Sequence, residues 1–492
     1  MSTSSEESPA DVAAEFRSLT HNEVLVGSEE IFKPSLRHML VQMTKEPGAE
    51  KTLPAHILEH ASKEVRLRIG TLLKVDNVSF LLGAGCSLDA GGVSLARIPA
   101  EVERDLLLSG LGEKEPAPWL QRFYEIVAAV AGWSAPADLK KRAELLAEVL
   151  TPDGTGNARS APSRAEREIP INLENFLLKM HTWRSSMLGS AVKVQLGEKH
   201  ELVLADVELQ TIISRLTSAL VKTCALPRPG KEQALETPCK MLKKTLTRPL
   251  NLRRVNFFTL NYDTLVEQAA DAEGVVVLDG FVGTLKRVFR PECYNHDLYF
   301  PAQTTEGRVH RLDRVVHLYK LHGSITWQSE DPSWQNPYGV FSAHPVSGSA
   351  HPVVIYPSPL KYGEALGLPY SELFRRFAHC VAQTQSVLVV VGYSFGDDHV
   401  TAIIRQALTI PSFTLVIVDP EPASEFVRRL RAQQDQRVWI VSGPDLGTFR
   451  GFVEYLLPDL REEEILKNVV ATYRALSVRE GDAEGKEEGN VQ

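Results

Sequence analysis

Val78-Ser79-Phe80-Leu81-Leu82-Gly83-Ala84-Gly85-Cys86-Ser87 is an apolar run that ends in a glycine turn followed by a small polar residue. Strand, tight turn and helix in that order form the layout of a nucleotide phosphate site. The glycines let the backbone approach an anion, and the amides opening the next helix point at it. The G-x-G-x-x-G spacing of dinucleotide sites is incomplete, because Leu88 fills the third glycine position and glycine returns at Gly91 and Gly92. Alone, the turn reads equally as an ordinary strand end.

Three later segments decide the matter. Val255-Asn256-Phe257-Phe258-Thr259-Leu260-Asn261-Tyr262-Asp263 ends an apolar run in Asn and Asp. Val315 to Lys320 leads into Leu321-His322-Gly323-Ser324, and Val387 to Val391 closes on Gly392-Tyr393-Ser394-Phe395-Gly396-Asp397-Asp398-His399. Continuous Val/Leu/Ile runs bounded by turn residues suit parallel strands buried on both faces, whose ligands bind beyond the carboxyl ends. All four polar clusters then fall on one edge. The fold expected is a doubly wound, Rossmann-like α/β domain with a parallel sheet, a large helical insertion and helical terminal extensions.

Spacing sets the expected organisation. Residues 1–70 form an amino-terminal extension, Ser/Glu-rich and disordered over 1–12 and then helical. Residues 71–100 and 251–460 make the nucleotide-binding domain, divided by a helical insertion over 101–250. Residues 461–492 add a helix and a charged tail. Between Ser87 and the Asn-Tyr-Asp segment lies far more chain than one crossover helix needs. Residues 152–162 read as a polar loop and residues 328–350 as a Ser/Pro/Gly/His-rich loop near the site.

Composition narrows the class further. The chain has 492 residues, 43% of them hydrophobic, enough for more than one core. Five unpatterned cysteines, no amino-terminal signal peptide and no uninterrupted apolar stretch of membrane length lead to the expectation of a cytoplasmic protein without membrane association. A net charge of −8 argues against broad attraction to nucleic acid. The basic run from Lys240 to Arg254 reads as a solvated helix face and connector.

The ordered motifs Gly83-Ala84-Gly85-Cys86-Ser87, Thr259-Leu260-Asn261-Tyr262-Asp263, Lys320-Leu321-His322-Gly323 and Gly392 to His399 resemble the sirtuin-like (silent information regulator 2 type) family. They are most similar to its bacterial antiphage-defence NADase branch, as are Leu321 to Trp327, Tyr356-Pro357-Ser358 with Lys361-Tyr362, and the segment around Glu174. The chain departs from deacylating sirtuins in two respects. Their G-I-P-D-F-R segment aligns with Gly92-Val93-Ser94-Leu95-Ala96-Arg97, which keeps only the arginine of the acid-Phe-Arg ending. Cys86, Cys224, Cys239, Cys293 and Cys380 contain no CxxC pair, so no metal site and no zinc are expected.

The resemblance implies NAD as substrate. It implies a diphosphate cradled by Gly83, Ala84, Gly85 and Ser87 with Gly392 and Ser394, and further cofactor contacts from Arg97, Thr259 and Asp419. Asn261 would bond the ribose or orient water, Asp263 would hold the nicotinamide side, and His322 would act as base or position the ribose. The implied activity is an NAD glycohydrolase, regulated and used to deplete NAD during phage infection. A homo-oligomer with a HerA-type ATPase subunit is the implied assembly. An NAD- or ADP-ribose-binding scaffold without turnover and an NAD-dependent protein deacylase are the alternatives. Cys86 reads as a packed thiol, His317 and His399 as structural, Asp397-Asp398 as a helix cap, and Tyr262 and Trp327 as packing residues. Asn261 and His322, on a functional edge, are expected to tolerate alanine without loss of assembly.

Overall fold

Alternation along the apolar runs explains how the sheet is buried. Val78, Phe80 and Leu82 belong to one hydrophobic cluster with Val387, Val389 and Val391, whereas Leu81, Leu388 and Val390 belong to a second. Successive side chains of a strand point to opposite faces, so these strands are covered on both sides. The computed structural model describes residues 19–43, 54–94, 97–112, 115–150, 169, 171, 173–187, 191–196, 200–301, 309–342, 352–354 and 369–461.

The resulting sheet has nine strands: Glu23–Val26 (β1), Glu29–Glu30 (β2), Asn77–Leu82 (β3), Asn256–Thr259 (β4), Val276–Leu278 (β5), Val315–Lys320 (β6), Ser386–Val391 (β7), Phe413–Val418 (β8) and Val438–Ser442 (β9). Their order is β2-β1-β9-β8-β7-β3-β4-β6-β5. From β9 to β5 every pairing is parallel, while β1 joins β9, and β2 joins β1, antiparallel. The fold is therefore α/β with a parallel-dominated, Rossmann-like sheet flanked by helices. Outward from β3 the chain builds β4, β6 and β5 on one side, and on the other it builds β7, β8 and β9. Ligands of open α/β sheets bind at such a reversal, beyond the carboxyl ends of the strands.

Between β3 and β4 the chain forms helices Ile98–Gly110, Pro118–Ala131, Leu139–Leu150, Leu173–Ser185 and Asp206–Cys224. They pack around a third core, which includes Phe123, Phe176, Leu209 and Leu216 and reaches the sheet through Tyr262 and Ile325.

Several elements differ from the sequence reading. Residues 23–30, expected in an extension becoming helical, form β1 and β2; Glu23 to Val26 alternate half-buried and buried and zip onto β9. The insertion contains a hairpin of Ala191–Leu196 with His200–Ala205. Short strands Phe281–Val282, Arg287–Phe289, Gly323–Ser329, Val340–Ser342 and Pro352–Val354 form a five-stranded antiparallel sheet that crosses part of the expected 328–350 loop. Most are two or three residues long, too short for a periodicity to register. The expected helix after Gly83 is one 3-10 turn, Ala84–Ser87, so no helix amino terminus faces an anion there. The basic run divides: Lys240, Lys243 and Arg253 are exposed, as a solvated helix face and connector would be, whereas Arg248, buried, donates to the carbonyls of Leu73 and Val75, and Lys244 donates to those of Val453 and Leu457. The expectations for residues 1–12, 152–162, 356–362 and 462–492 lie outside the described residues.

At the reversal, the two glycine turns touch through their backbones. The Gly83 amide donates to the Val391 carbonyl at 2.9 Å and the Gly85 amide to the Gly392 carbonyl at 2.9 Å. Gly392 has φ +62°, and a Cβ there would lie 2.7 Å from the Gly85 Cα. Gly392→Ala is therefore expected to cost at least about 1–3 kcal/mol from the left-handed backbone alone, with the overlap added. Calorimetry should show a lowered Tm; an unchanged Tm would mean the two turns are free to separate.

Candidate functional site

Five loops and the insertion close on a cavity of about 500 Å³ at the carboxyl edge of the sheet. Ala84, Gly85 and Ser87 enter from the β3 turn, Asn261, Tyr262 and Asp263 from β4, His322 from β6, Gly392, Ser394 and Asp397 from β7, and Asp419 from β8. Thr223, Cys224 and Leu226, at the end of the insertion, form a further wall that the motifs did not reveal. The volume suits a drug-sized or larger ligand. Lysine and arginine are missing from the lining among the described residues, where backbone amides and neutral side chains such as Ser394 face the cavity.

Those amides are not all the expected ones. Gly83, Gly85 and Cys86 donate to the carbonyls of Val391, Gly392 and Gly83. The glycines are required where they stand because the β7 turn crosses them: a Cβ on Gly83 would lie 2.4 Å from the Gly392 carbonyl oxygen, and one on Gly85 would lie 2.6 Å from the Gly392 Cα. Close approach to protein backbone, and not only to a phosphate, sets these two positions.

Asn261 and Asp263 anchor the same turn. Asn261 Nδ2 donates to the Gly83 carbonyl at 2.9 Å and to Ser87 Oγ at 3.0 Å. Ser87 Oγ in turn donates to Asp263 Oδ2 at 2.6 Å, and Asp263 Oδ1 accepts from the Leu265 amide at 3.1 Å. Because the hydroxyl hydrogen of Ser87 is committed to a carboxylate, Ser87 is a buried link in this chain and not a free phosphate donor. Thr259 is also buried; its hydroxyl donates to the Leu82 carbonyl at 3.3 Å and accepts the Asn261 amide at 3.0 Å. Below them, the Lys320 ammonium donates to the Asp263 carbonyl and to Glu267 Oε1, fixing the Asn-Tyr-Asp loop to the strand that carries His322.

His322 lies nearly buried at the end of β6, with Nε2 3.1 Å from Asp397 Oδ2. The sequence reading gave Asp397 only the capping role. It does cap helix Asp398–Ala407, its Oδ1 accepting the His399 and Val400 amides at 2.8 and 3.3 Å, but its second oxygen meets His322. Burial pushes the Asp397 carboxyl up, yet the hydrogen bond and charge of His322 and the two amides outweigh it and hold the group below the usual carboxylate range. Asp419 is shifted the other way, upward, because burial outweighs the hydrogen bond it accepts from the Glu421 amide.

The remaining candidates divide. Ser394 and Asp419 line the cavity, whereas Arg97 is exposed at the start of helix Ile98–Gly110 and is not among the lining residues. Leu95 and Ala96 lie outside the described residues. Cys86 is buried, its Sγ donating to the Val391 carbonyl at 3.3 Å, and burial pushes its thiol far up, so it supplies no thiolate. Trp327 packs against Phe281 and Phe289, and His317 bonds Asn256 away from the cavity. His399 does not line the cavity, and nothing is described of the Glu174 side chain. No group of three or more His, Cys, Asp or Glu side chains is arranged for a metal ion among the described residues. None of the described helices is long and apolar enough to cross a membrane.

A family model, the SIR2-like domain, matches residues 255–439, which span the Asn261, His322, Gly392 and Asp397 motifs but not the β3 turn. The match covers less than half of the chain and supports a sirtuin-like, NAD-related assignment for that stretch. No relative among curated proteins matches the sequence.

Two outcomes follow from this geometry. Asn261→Ala removes two donors from the Gly83 turn and should destabilise the protein by about 1–3 kcal/mol, so its loss of function will not be purely chemical; a wild-type Tm would contradict the anchoring role. For Asp397 the folded carboxyl holds its proton less tightly than the unfolded one. Its contribution to stability is therefore present above the unfolded carboxylate pKa, about 3.9, and lost as pH falls through the lower folded value. The stability difference between wild type and Asp397→Asn should shrink below about pH 4, as followed by denaturation at stepped pH.

Proposed function

We propose that the protein is an NAD glycohydrolase, cleaving NAD to nicotinamide and ADP-ribose. The observation that carries this reading is the convergence of Asn261, Asp263 and His322 with both glycine turns on one cavity, inside the stretch similar to the SIR2-like domain. With the Gly83, Gly85, Cys86 and Gly392 amides committed to protein carbonyls, a diphosphate would be met on the cavity wall at Ala84, Ser394 and Gly396. The charged side chains of the described lining are the carboxylates Asp263, Asp397, Asp419 and Glu421, which suits the positively charged ring of oxidised NAD.

In the reaction, water attacks C1′ of the nicotinamide ribose as the C1′–N bond breaks. The bonding pair returns to the ring nitrogen, so nicotinamide leaves neutral, and the proton of water goes to a base. His322 fills that role, and a positioned base contributes on the order of 10²–10⁴-fold. Asn261 has its amide hydrogens tied to the turn, which leaves its carbonyl oxygen for a ribose hydroxyl or the water. In this reading residues 71–100 and 251–460 form the NAD-binding unit and 101–250 the insertion. The activity is a regulated effector of antiphage defence in the cytoplasm, controlled through self-association or a HerA-type ATPase subunit; the motif resemblance supports that role.

The test is chromatography of NAD incubated with purified protein, alone and with a candidate ATPase subunit. Wild type should release nicotinamide and ADP-ribose in equal amounts, and His322→Ala should lower turnover at least about 10²-fold. Acyl-ADP-ribose formed only with an acyl-lysine peptide would replace this reading with a deacylase, and tight NAD binding without turnover in every mixture would replace it with a binding scaffold.

A further inference from the structure

The Gly392–Asp397 loop has an internal construction that a phosphate turn or a helix cap does not need. The Tyr393 hydroxyl accepts the Asp397 amide at 3.0 Å and donates to the Asp397 carbonyl at 3.0 Å, so one phenol clasps both sides of that residue. Between them Phe395 is held at φ +58°, a left-handed conformation costly for a side chain of its size, with its ring packed against Tyr393 at 4.9 Å and Phe426 at 5.1 Å. The loop thus holds the backbone of Asp397 at both its amide and its carbonyl. A serine would cap helix Asp398–Ala407 equally well; the second carboxylate oxygen is what reaches His322, 75 residues earlier in the chain.

An ionised carboxylate only accepts hydrogen bonds. The His399 and Val400 amides on Oδ1 favour the ionised form of Asp397, and a ring nitrogen 3.1 Å from the other oxygen meets it favourably only by donating a hydrogen. We propose that Asp397 is the positioning residue of His322, holding the imidazole as the Nε2–H tautomer and leaving Nδ1 as the ring's proton acceptor. A base oriented by a third group is the arrangement that activates nucleophiles in unrelated enzymes. The loop also links this orientation to the glycine turns, because Gly392, against Gly85, starts the segment that ends at Asp397. The tautomer is independent of the reaction catalysed; only its effect on rate rests on the NAD-cleavage reading.

Full-length protein labelled with 15N in histidine tests the assignment by the ring nitrogen shifts, recorded where the ring is neutral, with the His322 signals identified by their loss in His322→Gln. Wild type should show a protonated Nε2 and an unprotonated Nδ1. In Asp397→Asn the carbonyl oxygen keeps the helix cap and the amide nitrogen faces Nε2, so the ring should switch to Nδ1–H. Asp397→Ser, which retains only the cap, should give exchange-averaged shifts and serves if the first variant does not fold. In parallel, kcat for NAD with Asp397→Asn should fall on the order of 10²-fold or more with little change in KM. A His322 ring that is Nδ1–H in wild type, or Nε2–H in both variants, overturns the assignment. A wild type that does not turn over NAD removes the hydrolase reading while the shifts still decide the role of Asp397.

Discussion

Gly392 rests with its Cα against the backbone of Gly85, and the β3 turn donates main-chain hydrogen bonds from Gly83 and Gly85 to the carbonyls of Val391 and Gly392. A side chain on any of Gly83, Gly85 or Gly392 would overlap peptide atoms of the other turn. The contact lies between β3 and β7, where the strand order reverses, so it joins the two halves of the parallel sheet at the point where a cavity opens. Everything proposed for the site depends on these turns keeping their distance. Asn261 holds the β3 turn by its carbonyl, and Asp397 is five residues beyond the β7 turn.

Around this contact the polar side chains are organised in relays. Asn261 donates to Ser87, Ser87 donates to Asp263, and the buried ammonium of Lys320 holds the Asp263 carbonyl. A buried network of this kind is stable only when its members are satisfied, and breaking one member strands the others. The residues most suggestive of chemistry in the sequence are thus the ones that keep the turn in shape. Their importance in mutagenesis will therefore mix both roles.

The insertion bears on the site more directly than a peripheral domain would. Its own core reaches Tyr262 and Ile325, and its exit segment is tied to the first turn region by the Arg228 amide on the Ala90 carbonyl at 2.9 Å and to the helix Leu265–Glu273 by Gln268 on the Leu226 carbonyl at 2.7 Å. Thr223, Cys224 and Leu226 thereby become a wall of the cavity. The segment between β3 and β4 thus sets the volume available to a ligand, while the sheet edge supplies the polar groups.

The sequence by itself determined the parallel strands and the edge they share, because continuous apolar runs ending in Gly, Asn, His or Asp can be buried on both faces only in such a sheet. Tertiary structure alone decided what depends on pairs distant along the chain. β1 is a strand because β9 receives it, and the short strands between Phe281 and Val354 exist because they pair with one another. Ser87 and Thr259 became internal links once Asp263 and Leu82 were brought to them, and Arg97 was left at the surface. Asp397 shows the limit most clearly. Its capping oxygen was readable from the two residues that follow it, but its bond to His322 was not, because local pattern carries no information about which strand end will lie across the cavity.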